Sequence, residues 1–331
     1  MTDLKPFNSF RISATANEFV EINSVNQLQF FIQNHQAKYF LILGGGSNVL
    51  FTKDFAGIIL KNQLFGIYVL EQNNQEVLVK VAGGENWHKF VVHCVSNGWG
   101  GIENLSLIPG TVGAAPLQNI GAYGVEIKET LVSLEAIDMS TGELKTFNNE
   151  QCQFGYRESI FKHELKGKYF ISSVTFKLSK NKVPNISYGD IAKLLEEWDI
   201  TVPSIADVSN AVIRIRKDKL PDPELIGNAG SFFKNPIIEL QKYLDLQKIY
   251  PEIKSFPAPE GLVKVPAAWL IEQCGFKGKR FGHVGVHEKQ ALVLVNYGGG
   301  SGKEIIELSK KIIESVKVKF DIKLQTEVNI F

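Results

Sequence analysis

The chain has 331 residues, 44% of them apolar and 21% charged, with 36 Lys+Arg against 35 Asp+Glu and a net charge of +1. At ~150 residues per domain this length suits about two domains, with a core that needs no covalent staples. Disorder, collagen and coiled coil are excluded as the main state, and the balanced charge argues against an electrostatic binder of nucleic acid or membrane. Cys94, Cys152 and Cys274 are odd in number and widely spaced. They make no disulfide framework and no Cys-x-x-Cys metal site, and are expected in the core. Residues 1–7 lack the apolar run of a signal peptide, and no stretch approaches 18 apolar residues. A cytoplasmic enzyme or binding protein is expected.

In chain order, Tyr39-Phe40-Leu41-Ile42-Leu43 reads as a buried strand ending at Gly44. Ile58-Ile59-Leu60 and Val77-Leu78-Val79-Lys80-Val81 read as further strands. Residues 87–97 read as a helix: Trp87, Val91 and Cys94/Val95 share one face, and Asn97-Gly98 is a natural C-cap. A glycine-heavy stretch, 98–124, follows. Strands return at 131–139 and 169–178, the first ending in a turn at Ser140-Thr141-Gly142. Pro, Asp and Gly cluster over 221–230 and mark a domain boundary. In the last third, helices alternate with a strand at Ala291-Leu292-Val293-Leu294-Val295. The final helix starts near Ser301, where Ser301 and Glu304 form a capping box and Ile305, Leu308, Ile312 and Val316 an apolar face. A strand within 326–331 closes the chain.

Two glycine loops stand out. Gly44-Gly45-Gly46-Ser47-Asn48 follows a strand, so successive N–H groups can converge on an anion that only a glycine backbone approaches closely. Pro109-Gly110-Thr111-Val112-Gly113 precedes Gln118-Asn119-Ile120-Gly121-Ala122-Tyr123-Gly124, and together they suit a pyrophosphate. Ordinary tight turns are the alternative. No Gly-x-Gly-x-x-Gly occurs, because Glu103 stands where Gly98-Trp99-Gly100 would need its third glycine. Residues 298–303 imitate a Walker A loop, but Tyr297 and Glu304 occupy its required Gly and Ser/Thr positions. A phosphate site not built on a Rossmann crossover is what survives.

Later runs are unusual for a plain scaffold. Phe154-Gly155-Tyr156-Arg157-Glu158-Ser159-Ile160-Phe161-Lys162 interleaves rings with charges, and Arg216-Lys217-Asp218-Lys219 puts three cations before a Pro-rich turn. Gly227-Asn228-Ala229-Gly230-Ser231-Phe232-Phe233 holds a hydroxyl at a turn among bulky rings. Plainer roles stand beside these: Arg157 as a surface ion pair, the cations as a solvated face, Ser231 as a turn former. The histidines, His88 and His287 among them, have no metal spacing, and Glu85 and Glu103 read as helix-end or structural carboxylates.

Taken together, these runs resemble the UDP-N-acetylenolpyruvoylglucosamine reductase family over nearly the whole length. Beside the loops named above, the resemblance includes Ala82-Gly83-Gly84-Glu85-Asn86-Trp87, Tyr188-Gly189-Asp190, Lys219-Leu220-Pro221-Asp222-Pro223, Ala268-Trp269-Leu270-Ile271 and Glu327. It implies an α+β chain: an FAD-binding fold of the vanillyl-alcohol-oxidase type in two subdomains, plus an α/β substrate-binding subdomain. The implied boundaries are 1–66 with 320–331, 67–217 and 218–319. FAD would be held noncovalently by Gly44, Gly45, Gly46, Ser47 and Asn48, by Pro109, Gly110, Thr111 and Gly113, and by Asn119, Gly121, Ala122 and Gly124.

By the same resemblance the enzyme is a UDP-N-acetylmuramate dehydrogenase of peptidoglycan precursor synthesis, with NADPH as co-substrate in a ping-pong cycle and no metal. Ser231 would be the proton donor, with Arg157 and Glu327 assisting at the substrate carboxylate. Tyr123, Tyr188, Lys219, Asn235, Lys277 and Gln290 would grip the UDP-sugar. Phe256 stands where the longer, type I members carry a tyrosine over the diphosphate. The helix start Val265-Pro266-Ala267 also differs, with proline expected in the first helical turn. A monomer acting on small molecules alone is expected. A flavin oxidase of the same fold and a colourless phosphosugar-binding module are the competing readings.

Overall fold

The computed structural model describes residues 1–35 and 39–331. The chain divides into two compact units, one comprising 1–2, 16–45 and 56–218, the other 3–15, 46–55 and 219–331. Among the described residues, no helix is long and apolar enough to cross a membrane.

In the first unit the strands Thr15–Ile22, Phe55–Asn62 and Phe40–Leu43 lie side by side, the last two parallel with Leu41 opposite Ile59. Their apolar residues meet helix α1 (Val25–Asn34), which Ser24 caps, in a cluster that includes Ile22, Leu28, Phe31, Ile58 and Leu60. A five-stranded antiparallel sheet follows, in the order Leu144–Asn148, Leu131–Asp138, Tyr169–Ser179, Glu76–Ala82, Ile67–Gln72. Alternation along Glu76–Ala82 buries Val77, Val79 and Val81 on one face. That face receives helix α2 (Trp87–Ser96) through Trp87, Phe90, Val91 and Cys94. Helices α3 (Gly189–Glu197) and α4 (Ile205–Lys219) pack on each other through Ile191, Leu195, Val208, Val212 and Ile215.

The second unit carries a four-stranded antiparallel sheet in the order Gly227–Ser231, Val293–Asn296, Val284–Val286, Arg280–Phe281. Helices α5 (Leu240–Ile249), α6 (Ala267–Gln273) and α7 (Gly302–Phe320) share one core with it. Both halves of the Ser301/Glu304 capping box are formed on α7, and Ile305, Leu308, Ile312 and Val316 are buried.

Some expectations shift. The strand expected at 291–295 is Val293–Asn296, because Gln290 closes a turn first: its carbonyl accepts from Val293 N–H and its side chain from Leu292 N–H. The closing strand shortens to Asn329–Ile330. Pro266 is the residue before α6 and not in its first turn. Cys94 and Cys152 are buried, and burial pushes the Cys152 thiol up to about 12; Cys274 is only half-buried against the core.

Candidate active site

The first unit builds a cradle from backbone. The strand Phe40–Leu43 runs into Gly44-Gly45, and both glycines press on the loop 109–113. A first side-chain carbon on Gly44 would sit 2.6 Å from Thr111 Oγ1, and one on Gly45 2.9 Å from Gly110 Cα. Only glycine permits these approaches. Lys61, on the strand Phe55–Asn62, donates its ammonium to the Gly44 carbonyl. Burial lowers its pKa, with Glu21 pulling the other way.

The run 82–87 clamps the same loop from the other side. Trp87 N–H donates to Gly110 O at 3.1 Å, Val112 N–H to Glu85 O at 2.9 Å and Gly113 N–H to Gly83 O at 2.9 Å. Glu85 and Glu103 are structural, as expected: they accept from Gly66 N–H at 2.8 Å and from Gly101 N–H at 2.5 Å. Thr111 Oγ1 is buried and, among the described residues, has no hydrogen-bond partner. Buried polar groups in native folds are paired. A buried hydroxyl awaiting a partner, beside glycine backbone that admits close approach, fits the diphosphate end of FAD.

The loop 119–124 is shaped from within. Asn119 takes the left-handed conformation at φ 45°. Its amide donates to Glu126 Oε2 and Gly155 O at 2.9 Å each and accepts from Lys128 N–H at 3.2 Å. Gly121 and Ala122 pair with Glu126 and Val125, and Gly124 has φ 80°. Arg157 (φ 56°) sits in the tight turn closed by Gly155 and Glu158, and its Nη2 donates to Gly121 O at 2.7 Å. Tyr123 (φ 50°) stands edge-on to Tyr188, ring centres 5.1 Å apart.

Arg216 is a residue that sequence reasoning set aside. It is not part of a solvated face: its Nε donates to Leu107 O at 3.2 Å and its side chain also bonds Tyr123. Burial lowers its pKa, Tyr123 raises it, and Arg157 lowers it again. The signal was helical spacing, because Arg216 falls four residues after Val212 on the buried stripe of α4 while Lys217, Asp218 and Lys219 are exposed.

The second unit places side chains rather than a cradle. Gly227–Ser231 pairs with Val293–Asn296, Ser231 opposite Val293, so Ser231 ends a strand and is not in a free turn. Gly230 turns at φ 67°, its N–H held by Asn228 Oδ1 at 3.0 Å. Beyond Ser231 the chain runs antiparallel to 325–327. Lys234 N–H donates to Gln325 O at 2.9 Å, Phe233 bridges Thr326, and Glu327 N–H donates to Phe232 O at 2.8 Å. This brings Glu327 beside the residue that follows Ser231.

Gly46, Ser47 and Asn48 also belong to this unit. Gly46 (φ 68°) leaves 2.0 Å between an added carbon and Phe7 O, and Asn48 O accepts from Asn329 N–H at 3.1 Å. Ser47 is half-buried. Among the expected substrate contacts, Asn235 Oδ1 accepts from Ala267 N–H at 2.9 Å and so caps α6, and Lys277 pairs with Glu272 at 2.9 Å. Gln290 forms the turn described above, and Lys219 is exposed. Phe256 lies opposite Lys264, whose Nζ is 6.0 Å from its ring centre.

Comparison with known proteins gives the family. Residues 17–148 match the model of an FAD binding domain, and 222–331 that of the UDP-N-acetylenolpyruvoylglucosamine reductase C-terminal domain. A UDP-N-acetylenolpyruvoylglucosamine reductase of Flavobacterium johnsoniae is 50% identical over 99% of this chain and 97% of that protein. One from Amoebophilus asiaticus is 49% identical with the same coverage. The crystal structure of the reductase from Thermus caldophilus, 22% identical, shares the fold with a TM-score of 0.70 over 99% of this chain and 97% of that one.

Proposed function

Because the chain belongs to the UDP-N-acetylenolpyruvoylglucosamine reductase family, we propose that it reduces UDP-N-acetyl-3-O-(1-carboxyvinyl)-glucosamine to UDP-N-acetylmuramate at the expense of NADPH. FAD, when bound, supplies the two-electron store that lets the nicotinamide leave before the UDP-sugar enters, a ping-pong order. The residues of 44–48, 109–113 and 119–124 named above would hold it, with Thr111 Oγ1 as a donor. The division into 1–66 with 320–331, 67–217 and 218–319 belongs to the same proposal, as do the sugar contacts of Tyr123, Tyr188, Lys219, Asn235, Lys277 and Gln290.

Reduction adds one hydride and one proton across the alkene. Hydride arrives at C3, so negative charge builds at C2 and spreads into the adjoining carboxylate. Arg157 meets that carboxylate as a fixed planar cation. Glu327, in its protonated form, donates to the enolic oxygen. Ser231 gives its hydroxyl proton to C2, a carbon basic enough to take it. General acid help of this kind contributes roughly 10²–10⁴-fold.

The observation that carries the assignment is the backbone pairing of 232–234 with 325–327, which puts Glu327 beside Phe232, the residue that follows Ser231. Stopped-flow measurement of Ser231→Ala tests it. Flavin reduction by NADPH is expected to keep its rate while reoxidation by the UDP-sugar slows by roughly 10²–10⁴-fold; equal slowing of both half-reactions would overturn the role.

A further inference from the structure

Two consecutive residues at the start of α2 grip the loop that leads into the cradle. Trp87 holds both ends of it: Nε1 donates to Leu105 O at 2.9 Å and its N–H to Gly110 O at 3.1 Å. Between those ends Leu107 takes the left-handed conformation, φ 57°, which a branched side chain rarely adopts. Such a conformation persists only where its surroundings over-determine it. Both polar groups of Leu107 are fixed: its N–H donates to His88 Nδ1 at 3.0 Å, and its carbonyl accepts from Arg216 Nε at 3.2 Å.

We infer that His88 is a positioning residue: its Nδ1, as acceptor for Leu107 N–H, sets the course of the loop that places Thr111 and the 109–113 backbone against the cofactor. This rests on the FAD reading of that loop. The bond requires the lone pair on Nδ1, so the ring proton sits on Nε2 and the imidazole is neutral. A protonated ring would present N–H to N–H and release Leu107.

The charges acting on the ring are two cations of α4, Arg216 and Lys217. Burial first, and then these cations, depress its pKa. A histidine depressed in the folded protein contributes fully above its ordinary value of about 6.5. That contribution is lost as pH falls through the depressed value. Loop and cofactor should therefore loosen on acidification.

The test measures FAD release from the holoenzyme by the rise in flavin fluorescence between pH 5 and 8, for wild type, His88→Ala and His88→Asn. An asparagine amide oxygen can stand where Nδ1 stands and takes no proton in this range. Wild-type release is expected to accelerate as pH falls through the depressed value, which lies below the ordinary ~6.5. His88→Ala should release FAD about tenfold faster than wild type at pH 8, the scale of one hydrogen bond, without the acid step. His88→Asn should restore slow release and stay flat with pH. Equal release by His88→Ala and wild type at pH 8, or an acid step retained in His88→Asn, overturns the inference. If His88→Ala fails to fold, the slope of His88→Asn decides alone. A protein that takes up no FAD defeats the cofactor reading instead. Faster amide exchange at Leu107 in His88→Ala than in His88→Asn would then still support the positioning role, and equal exchange would end it.

Discussion

The cradle of the first unit and the Ser231–Glu327 region of the second are built on opposite principles. In the cradle the functional surface is backbone: Gly44, Gly45 and Gly113 lie so close to Thr111, Gly110 and Gly83 that no side chain fits, and the buried Thr111 hydroxyl has no hydrogen-bond partner among the described residues. Around Ser231 the backbone is consumed by ordinary strand pairing, and what is left to act is side chain. The first design fails when an atom is added, the second when an atom is removed.

The sharpest way to break this contrast is at Glu327. Its N–H, not its carboxyl, makes the bond to Phe232. Glu327→Ala keeps that backbone bond and should lower turnover by the ~3–4 kcal/mol typical of an oriented donor. Glu327→Gln keeps a donor and should retain more activity than Glu327→Ala in steady-state rates. The reverse order would remove the protonated carboxyl from the mechanism.

Gly45→Ala probes the cradle in the opposite sense. The added carbon meets Gly110 Cα at 2.9 Å, and backbone on both sides must move. Overpacking of this kind costs about 1–3 kcal/mol, or roughly 5–150-fold in FAD affinity. Flavin absorbance per protein after dialysis is the measurement, and turnover per bound flavin should stay near the wild-type value. A variant that keeps its flavin but turns over slowly would mean that the loop acts on chemistry and not on binding.

The same contrast explains what the sequence made legible. Side-chain patterns announce themselves: the Ser301/Glu304 box and the Ile305–Leu308–Ile312–Val316 stripe of α7, the buried face of α2, and the alternation of Val77, Val79 and Val81 all follow from spacing. Backbone arrangements built from non-glycine residues do not. Nothing in the letters shows that Leu107, Asn119, Tyr123 and Arg157 take positive φ, because neighbours impose it: Arg216 holds Leu107 and Tyr123, and Gly121 O receives Arg157. Charge runs mislead for a related reason. Arg216 and Lys217 look alike in sequence, yet one helical step separates a cation lodged between two loops from one in solvent. The placing of Glu327 beside Phe232, next in the chain to Ser231, was invisible to local pattern, since the pairing of 232–234 with 325–327 joins segments some ninety residues apart.

The smallest expected effect sharpens the side-chain half of the comparison. Phe256 lies on the short strand Phe256–Pro257 opposite Lys264, with 39% of its surface exposed. A hydroxyl at the ring's far end meets no packed core, so Phe256→Tyr should shift stability by less than about 0.5 kcal/mol. If this ring lies over the substrate diphosphate, the new O–H adds one hydrogen bond to an anion beside the Lys264 ammonium. A hydrogen bond of net worth ~0.5–1.5 kcal/mol tightens binding roughly 2- to 12-fold. Titration of oxidised holoenzyme with the UDP-sugar reads it directly. Affinity that is unchanged or weaker would mean the ring does not reach the diphosphate, and that Phe256 serves only to pack the strand against Lys264.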